Sequence, residues 1–363
     1  MKLPLFKQYP ELEKKLPYIS LGNFPTPVVR LKNLGKQLKV KSLYLKNDGI
    51  SSVPFGGNKI RKLELLFADA IDKGFDTVVT IGRAGSNHSL TTIACAKKVG
   101  LKAHSFLSPQ LNAHYVRRNL LLSLHYGGKI NYFDNQKERN IAARAFCDDK
   151  NNSAYFIPLG ASCALGVVGF VNAAFELKEQ IEKGLLPEPD YIYVPVGSAG
   201  TATGLIVGLK LAGLKSKVIP VRVSGDLEHT IQEFIDLLNE TSNFLCQLDV
   251  TCQQFIFSSL GVGVRDEFAG DDYALVTPRA VESIRMLYDT EGIKLDGTYT
   301  GKAFAALLDD AREKVMKKKT ILFWNTFCSG DFAEIINRID YKKLPEQLHF
   351  YFKENVQELD QGV

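Results

Sequence analysis

The stretch Tyr191-Ile192-Tyr193-Val194-Pro195-Val196-Gly197-Ser198-Ala199-Gly200-Thr201 decides the class of fold. Its first six residues are apolar, with β-branched and aromatic side chains of the kind a buried strand favours. Two glycines then turn the chain, and the run Leu205 to Leu211 reads as a helix. Strand, glycine-rich turn and helix together make an anion cradle, because the turn aims backbone N–H groups at whatever sits above it. Ser198 and Thr201 add hydroxyl donors. No lysine of Walker type follows, so the cradle suits a single phosphate better than a nucleotide triphosphate.

The same alternation extends outward in both directions. Short β-branched runs at Thr77 to Ile81, Lys102 to Leu107, Ile130 to Phe133, Val218 to Val223 and Thr320 to Trp324 alternate with amphipathic segments, and Leu43 to Lys46 reads as an early edge strand. This order marks a parallel sheet covered by helices, so the class is α/β. Gly82-Arg83-Ala84-Gly85-Ser86-Asn87-His88 is a second strand-to-helix turn, opening a helix over Ser86 to Val99 that closes at Gly100. A Ser or Asn in that place is ordinarily an N-cap, and a lone His is ordinarily structural. Three adjacent polar residues behind two glycines exceed what capping needs.

A third constellation is Phe55-Gly56-Gly57-Asn58-Lys59-Ile60-Arg61-Lys62-Leu63-Glu64. Its glycines let the backbone approach a ligand just before a helix, predicted over Ile60 to Ile71 from the common face of Ile60, Leu63, Phe67, Ala70 and Ile71, with Gly74 as the stop. Lys59 stands at the positive start of that helix. Arg61, Lys62 and the helix dipole disfavour its protonation, and a lowered pKa is what a Schiff-base lysine needs. The plainer alternative is a glycine turn followed by a surface lysine.

Composition excludes several other classes. The 363 residues are 45% hydrophobic and 23% charged, an ordinary balance for a globular protein of one or two domains. The net charge of +5 comes from 45 basic and 40 acidic residues scattered along the whole length, which argues against nucleic acid as a partner. No apolar window reaches membrane-spanning or signal-peptide length, so a cytoplasmic protein is expected. The six cysteines, at 95, 147, 163, 246, 252 and 328, include no C-x-x-C pair and no His at metal-ligand spacing, so no metal and no disulfide is expected.

Taken in order, Gly-Gly-Asn-Lys-x-Arg-Lys-Leu-Glu at 56–64, Ser-Asn-His at 86–88 and Gly-Ser-x-Gly-Thr at 197–201 resemble the 1-aminocyclopropane-1-carboxylate deaminases and D-cysteine desulfhydrases. These are pyridoxal 5′-phosphate enzymes of fold type II, related to the tryptophan synthase β chain. The resemblance runs from about Phe24-Pro25-Thr26-Pro27 to about Gly330. It implies two open, twisted, mostly parallel sheets flanked by helices. The active site would lie between a large cofactor-binding domain (1–55 and 161–363) and a small domain (56–160). It implies a homodimer acting on a small amino acid. It further implies that Lys59 holds the cofactor as a Schiff base beside Asn58, that Asn87 hydrogen-bonds the ring hydroxyl, and that Ser86, Asn87 and His88 read the substrate, with Ser86 catalytic. Gly197, Ser198, Ala199, Gly200 and Thr201 would hold the phosphate, and Thr326 would lie near the ring nitrogen. Glu291-Gly292-Ile293-Lys294-Leu295-Asp296-Gly297-Thr298-Tyr299-Thr300-Gly301-Lys302 resembles the late family motif whose tyrosine, here Tyr299, lies over the reacting carbon. Tyr273 resembles the second active-site tyrosine.

Within the family, deaminases carry a glutamate after the late tyrosine and a leucine in the C-terminal glycine loop, whereas desulfhydrases carry small hydroxyl residues. Thr300 and Thr326 therefore favour a D-cysteine desulfhydrase-like β-elimination giving pyruvate, ammonia and hydrogen sulfide. The alternatives are the ring-opening deaminase giving 2-oxobutyrate, another amino-acid lyase or racemase, and a cofactor-binding protein with little catalysis. The chain departs from the pattern at Asn325-Thr326-Phe327-Cys328, where His-Thr-Gly-Gly is usual, and at Arg83, where a small residue is usual. It departs again at Ala199, which replaces a glycine and is expected at negative φ.

Overall fold

The computed structural model describes residues 2–224, 227–258 and 263–362. Two short helices, α1 (Pro4–Gln8) and α2 (Pro10–Lys15), each begin on a proline, whose fixed φ and missing N–H suit a first helical turn. Next come β1 (Val28–Arg30), α3 (Lys32–Leu38) and β2 (Ser42–Asn47). Helix α4 (Lys59–Asp72) begins at the lysine itself, and Gly74, at φ 77°, turns the chain away behind it.

The middle of the chain alternates strictly: β3 (Thr77–Arg83), α5 (Asn87–Val99), β4 (Lys102–Ser108), α6 (His114–His125), β5 (Lys129–Tyr132), α7 (Gln136–Asp148) and β6 (Ala154–Ile157). Its four strands form a parallel sheet in the order β5-β4-β3-β6. The remainder runs through α8 (Ala164–Glu182), β7 (Tyr191–Val196), α9 (Gly200–Ala212), β8 (Lys217–Arg222), α10 (Leu227–Leu248), α11 (Pro278–Glu291), α12 (Thr300–Ala311) and β9 (Thr320–Asn325). These strands and the two N-terminal ones make a second sheet, β1-β2-β9-β7-β8, parallel except for β1. Two parallel-dominated sheets flanked by helices are the α/β architecture of the fold type II enzymes.

The stretch Leu43 to Lys46, expected at a sheet edge, lies inside it. All four residues are buried and β2 pairs on both sides, with β1 and β9. Strand β1 takes the edge instead, and its three residues are too few to show an alternating pattern. Strand β6, of four residues, escapes the sequence reading for the same reason.

Strand β7 is covered on both faces. Ile192, Val194 and Val196 join the core beneath α8 and α9, while Tyr193 joins the core against α12. Helices α8 and α9 touch backbone to backbone: a Cβ on Gly204 would stand 2.3 Å from Phe170 Cβ, and one on Gly208 would stand 2.6 Å from Val171 O.

A buried ionic cluster ties the lysine helix to the larger sheet. Arg61, 1% exposed, donates Nε to Asp48 Oδ2 at 2.9 Å and Nη1 to Glu176 Oε2 at 2.9 Å. Lys46 also donates to Glu176, and Trp324 Nε1 donates to Asp48 Oδ2 at 2.9 Å. The end of β2, the first turn of α4, α8 and β9 are thereby held together by charges that keep one another paired.

Candidate active site

A cavity of about 600 Å³ opens between the two sheets, at the carboxyl ends of β3, β7 and β9. Open α/β sheets bind ligands at such ends, where helix N-termini converge. The wall contains Asn58, Lys59, Ser86, Asn87, His88, Gly197 to Thr201, Tyr273, Tyr299 and Thr326, so every residue predicted for the site meets here.

Lys59 is the first residue of α4, and its Nζ donates to Asn58 Oδ1 at 3.0 Å. Burial lowers its pKa to about 8, against the attraction of Asp296, which acts in the opposite sense. The expectation that Arg61 keeps this amine unprotonated is therefore corrected: Arg61 is neutralised within the Asp48–Glu176 cluster, and loss of water does the work instead. Asn58 links the lysine to the glycine loop, since its Nδ2 donates to Thr201 Oγ1 at 2.9 Å. Gly57, at φ 102°, lets the chain pass close to Thr326, where an added Cβ would stand 3.1 Å from the carbonyl oxygen.

The glycine loop runs from β7 into α9, with Ala199 as the residue before the first turn. Ala199 has φ 55°, so the expectation of a negative φ is overturned. A left-handed alanine costs roughly 1–2 kcal/mol, and the turn that opens α9 accepts that strain. Gly200 is a fitted space, because a Cβ there would lie 2.4 Å from Ser162 Oγ and 2.6 Å from Lys62 Nζ.

Lys62 is a residue that sequence reasoning missed as a ligand. It is 1% exposed, and its Nζ donates to Gly160 O at 3.0 Å and Ser162 Oγ at 3.1 Å, neither of them charged. Burial, then the nearby Lys59, hold its pKa well below the ordinary lysine value. A buried lysine amine beside a glycine turn at a helix N-terminus is suited to a dianion such as a phosphate ester, whose charge would favour its protonated form. The available signal was spacing, since Lys59 and Lys62 lie one helical turn apart on the same face. The turn at 159–161 was equally unmarked: Gly160, at φ 64°, abuts Ser198, whose Oγ shares a 2.8 Å hydrogen bond with Ser162 Oγ.

On the opposite wall Ser86 caps α5, accepting the Ser89 N–H at 3.1 Å, which leaves its hydroxyl proton free to donate. Asn87 Oδ1 accepts from Asn119 Nδ2 at 2.8 Å, so Asn119 orients the amide and leaves Asn87 Nδ2 as a donor towards the cavity. His88 is buried, and its Nε2 shares a 2.7 Å hydrogen bond with Thr80 Oγ1. Burial, with Lys59 and Lys62 adding to it, keeps this imidazole neutral.

The tyrosines form a pair, with hydroxyls 2.6 Å apart and rings crossing at 73°. Burial is the leading cause that raises both above the usual phenol value. Tyr299 stands over Gly197, its ring carbon Cε1 lying 3.3 Å from where a Cβ would be. Thr300, the small hydroxyl residue after the late tyrosine, is buried and bonds to Asp296: its Oγ1 donates to Asp296 Oδ1 and accepts the Asp296 N–H at 2.8 Å. Asp296, one of the two carboxylates on the cavity wall among the described residues, also accepts the Tyr299 and Thr300 N–H groups at the start of α12.

The departing loop contributes Thr326 and Phe327 to the cavity wall. Phe327 is stacked under the Arg118 guanidinium at 5.5 Å, while Cys328 turns away and accepts the Gly56 N–H at 3.3 Å. All six cysteines are free. Among the described residues no group of His, Cys, Asp and Glu is placed to hold a metal ion, and no helix is long and apolar enough to cross a membrane.

A family model described as pyridoxal-phosphate dependent enzyme matches residues 19–326. A protein of Pyrococcus furiosus, provisionally named a 1-aminocyclopropane-1-carboxylate deaminase, is 30% identical over 324 residues, covering 88% of this chain and 95% of that protein. A crystal structure of an ACC deaminase homologue superimposes with a TM-score of 0.78 at 29% identity, covering 93% of this chain and 100% of that one. The processed form of threonine deaminase isoform 2 from Solanum lycopersicum is similar in fold, with a TM-score of 0.61 at 17% identity over 92% of this chain and 86% of that one.

Proposed function

The chain belongs to the pyridoxal-phosphate dependent enzyme family, and from that premise we propose that it eliminates the β-substituent of a small amino acid in the manner of a D-cysteine desulfhydrase, with Lys59 carrying the cofactor. The single observation that supports this reading is one cavity holding a desolvated amine, a single-phosphate cradle and a joined pair of tyrosine hydroxyls.

The residues present fit the cofactor. Gly197 to Thr201 and Lys62 would take its phosphate, Lys59 Nζ its aldehyde carbon and Asn87 Nδ2 its ring oxygen, and Thr326 would lie beside its ring. When bound, the cofactor supplies an electron sink for negative charge developing at the substrate α-carbon. The N–H groups that open α5 and the Ser86 hydroxyl bind the substrate carboxylate. The Lys59 amine, its pKa lowered to about 8 by burial, takes the α-proton in its unprotonated form. The Tyr273–Tyr299 pair then gives a proton to the departing sulfur, a role that suits phenols held protonated by burial. The α C–H and Cβ–S bonds break, hydrogen sulfide leaves, and water converts the remaining unsaturated amine to pyruvate and ammonia.

A second reading is ring opening of 1-aminocyclopropane-1-carboxylate to 2-oxobutyrate and ammonia. It is favoured by the names of the relatives and by Asp296, a carboxylate on the cavity wall. Visible absorbance of the purified protein, before and after borohydride reduction, tests the shared premise: a band present in wild type and lost in Lys59→Ala is expected. Sulfide and pyruvate from D-cysteine, or 2-oxobutyrate from the cyclopropane substrate, then separates the two reactions. A protein that takes up no cofactor would overturn both.

A further inference from the structure

Arg83 and Arg139 line the cavity, and among the described residues neither is bonded to a carboxylate. Arg139 lies on the first turn of α7, whose Gln136, Arg139 and Asn140 share one face on the cavity wall. It is 3% exposed, and all its partners are neutral: Gly82 O at 2.9 Å, Ser108 Oγ at 3.0 Å and Asn140 Oδ1 at 2.8 Å. Arg83, at the end of β3, donates one hydrogen bond, to Pro109 O at 2.7 Å, and lies over the Tyr273 ring at 5.6 Å. Burial, then repulsion from Arg83, lowers the Arg139 pKa to about 10. Two guanidinium groups, one buried and one half-buried, with no carboxylate partner among the described residues are an unfavourable arrangement that an anion relieves.

The other charges of the cavity leave that anion unaccounted for. The cofactor phosphate has its own loop and Lys62, and the substrate α-carboxylate has the start of α5. Asp296 is committed to the start of α12. Glu233 is exposed and stands 3.1 Å from His229 Nε2. We propose that the preferred substrate is an amino acid with a second anionic group, a carboxylate or its sulfonate or phosphate counterpart, bound by Arg83 and Arg139. This rests on the reading of the cavity as a pyridoxal-phosphate amino-acid site and names the substrate class for it. Arg83 interrupts a motif where the related enzymes carry a small residue, so this feature belongs to the chain's specificity and not to its cofactor binding.

The test titrates cofactor-loaded protein with D- and L-aspartate against asparagine of the same hand, following the visible absorbance. Calorimetry with inert succinate against succinamate reads binding without turnover. Cysteate and O-phosphoserine then identify which anion fits. Wild type should bind the acid over the amide by about tenfold or more, the scale of one charged hydrogen-bonding pair. In Arg139→Gln the ratio should fall to within about threefold. Arg83→Gln, at a half-buried position, should reduce it likewise and guards against misfolding of the first variant. A purely structural arginine would alter stability without altering this ratio. Equal affinity for acid and amide in wild type, or a preference that survives both variants, would overturn the inference. Absence of the absorbance band would instead remove the underlying reading, so the two failures are distinguishable.

Discussion

Lys59 and Arg61 are two positions apart on one helix, yet the protein treats them oppositely. Lys59 is dehydrated without a bonded acid and is pushed down to about 8. Arg61 is dehydrated between two carboxylates that hold it charged. The first arrangement predicts that cofactor uptake, followed by absorbance between pH 6.5 and 9.5, rises through a midpoint near the depressed value and not near that of a free lysine, because only the unprotonated amine attacks an aldehyde. The sign for stability follows from the same shift. Between about 8 and 10.5 the unfolded chain binds the proton that the folded chain has lost, so the cost of burying Lys59 diminishes, and stability rises, as pH rises through that window. The second arrangement predicts that Arg61→Met destabilises the fold by roughly 3–5 kcal/mol in denaturant unfolding, since it leaves Asp48 and Glu176 buried without their common partner. Both lysine and arginine were legible as a motif. Their contrasting states were not, because they depend on burial and on Asp48, Glu176 and Asp296, which all lie outside the motif.

The elements themselves were read well where they are long and amphipathic. Helix α5 has its predicted capping residue Ser86 and its left-handed Gly100. Strand β7 runs over the same six residues that the sequence marks as apolar. What pattern does not contain is how closely two elements approach. Gly204 and Gly208 lie four residues apart on α9, against Phe170 and Val171 of α8. Gly208→Leu should force the helices apart and lower the melting temperature, with a cost of roughly 1–3 kcal/mol or more, typical of overpacking. Circular dichroism melting checks this, and an unchanged melting temperature would refute the close contact. Helix α9 also carries the glycine loop at its start, so the same variant should weaken cofactor retention in proportion.

At the scale of the molecule, the larger sheet is assembled from both ends of the chain. Strand β2 pairs with β9 over six residues, from Ser42–Thr320 to Asn47–Asn325. Removing residues 1–50 should therefore strip β1 and β2, expose the edge of β9 with Phe323 and Trp324 beside it, and yield insoluble protein on expression; a soluble truncated chain that binds cofactor would contradict this topology. The sequence by itself determined the α/β class, the lysine, the two glycine turns and the family, because each is written in consecutive residues whose chemistry is local. Only the tertiary structure decided that Lys62 joins the glycine loop, that Thr300 bonds to Asp296, that Ala199 bears a left-handed backbone, and that Arg83 and Arg139 line one cavity. Those outcomes rest on side chains from different elements competing for the same water-free space, and no single segment carries the information that settles such a competition.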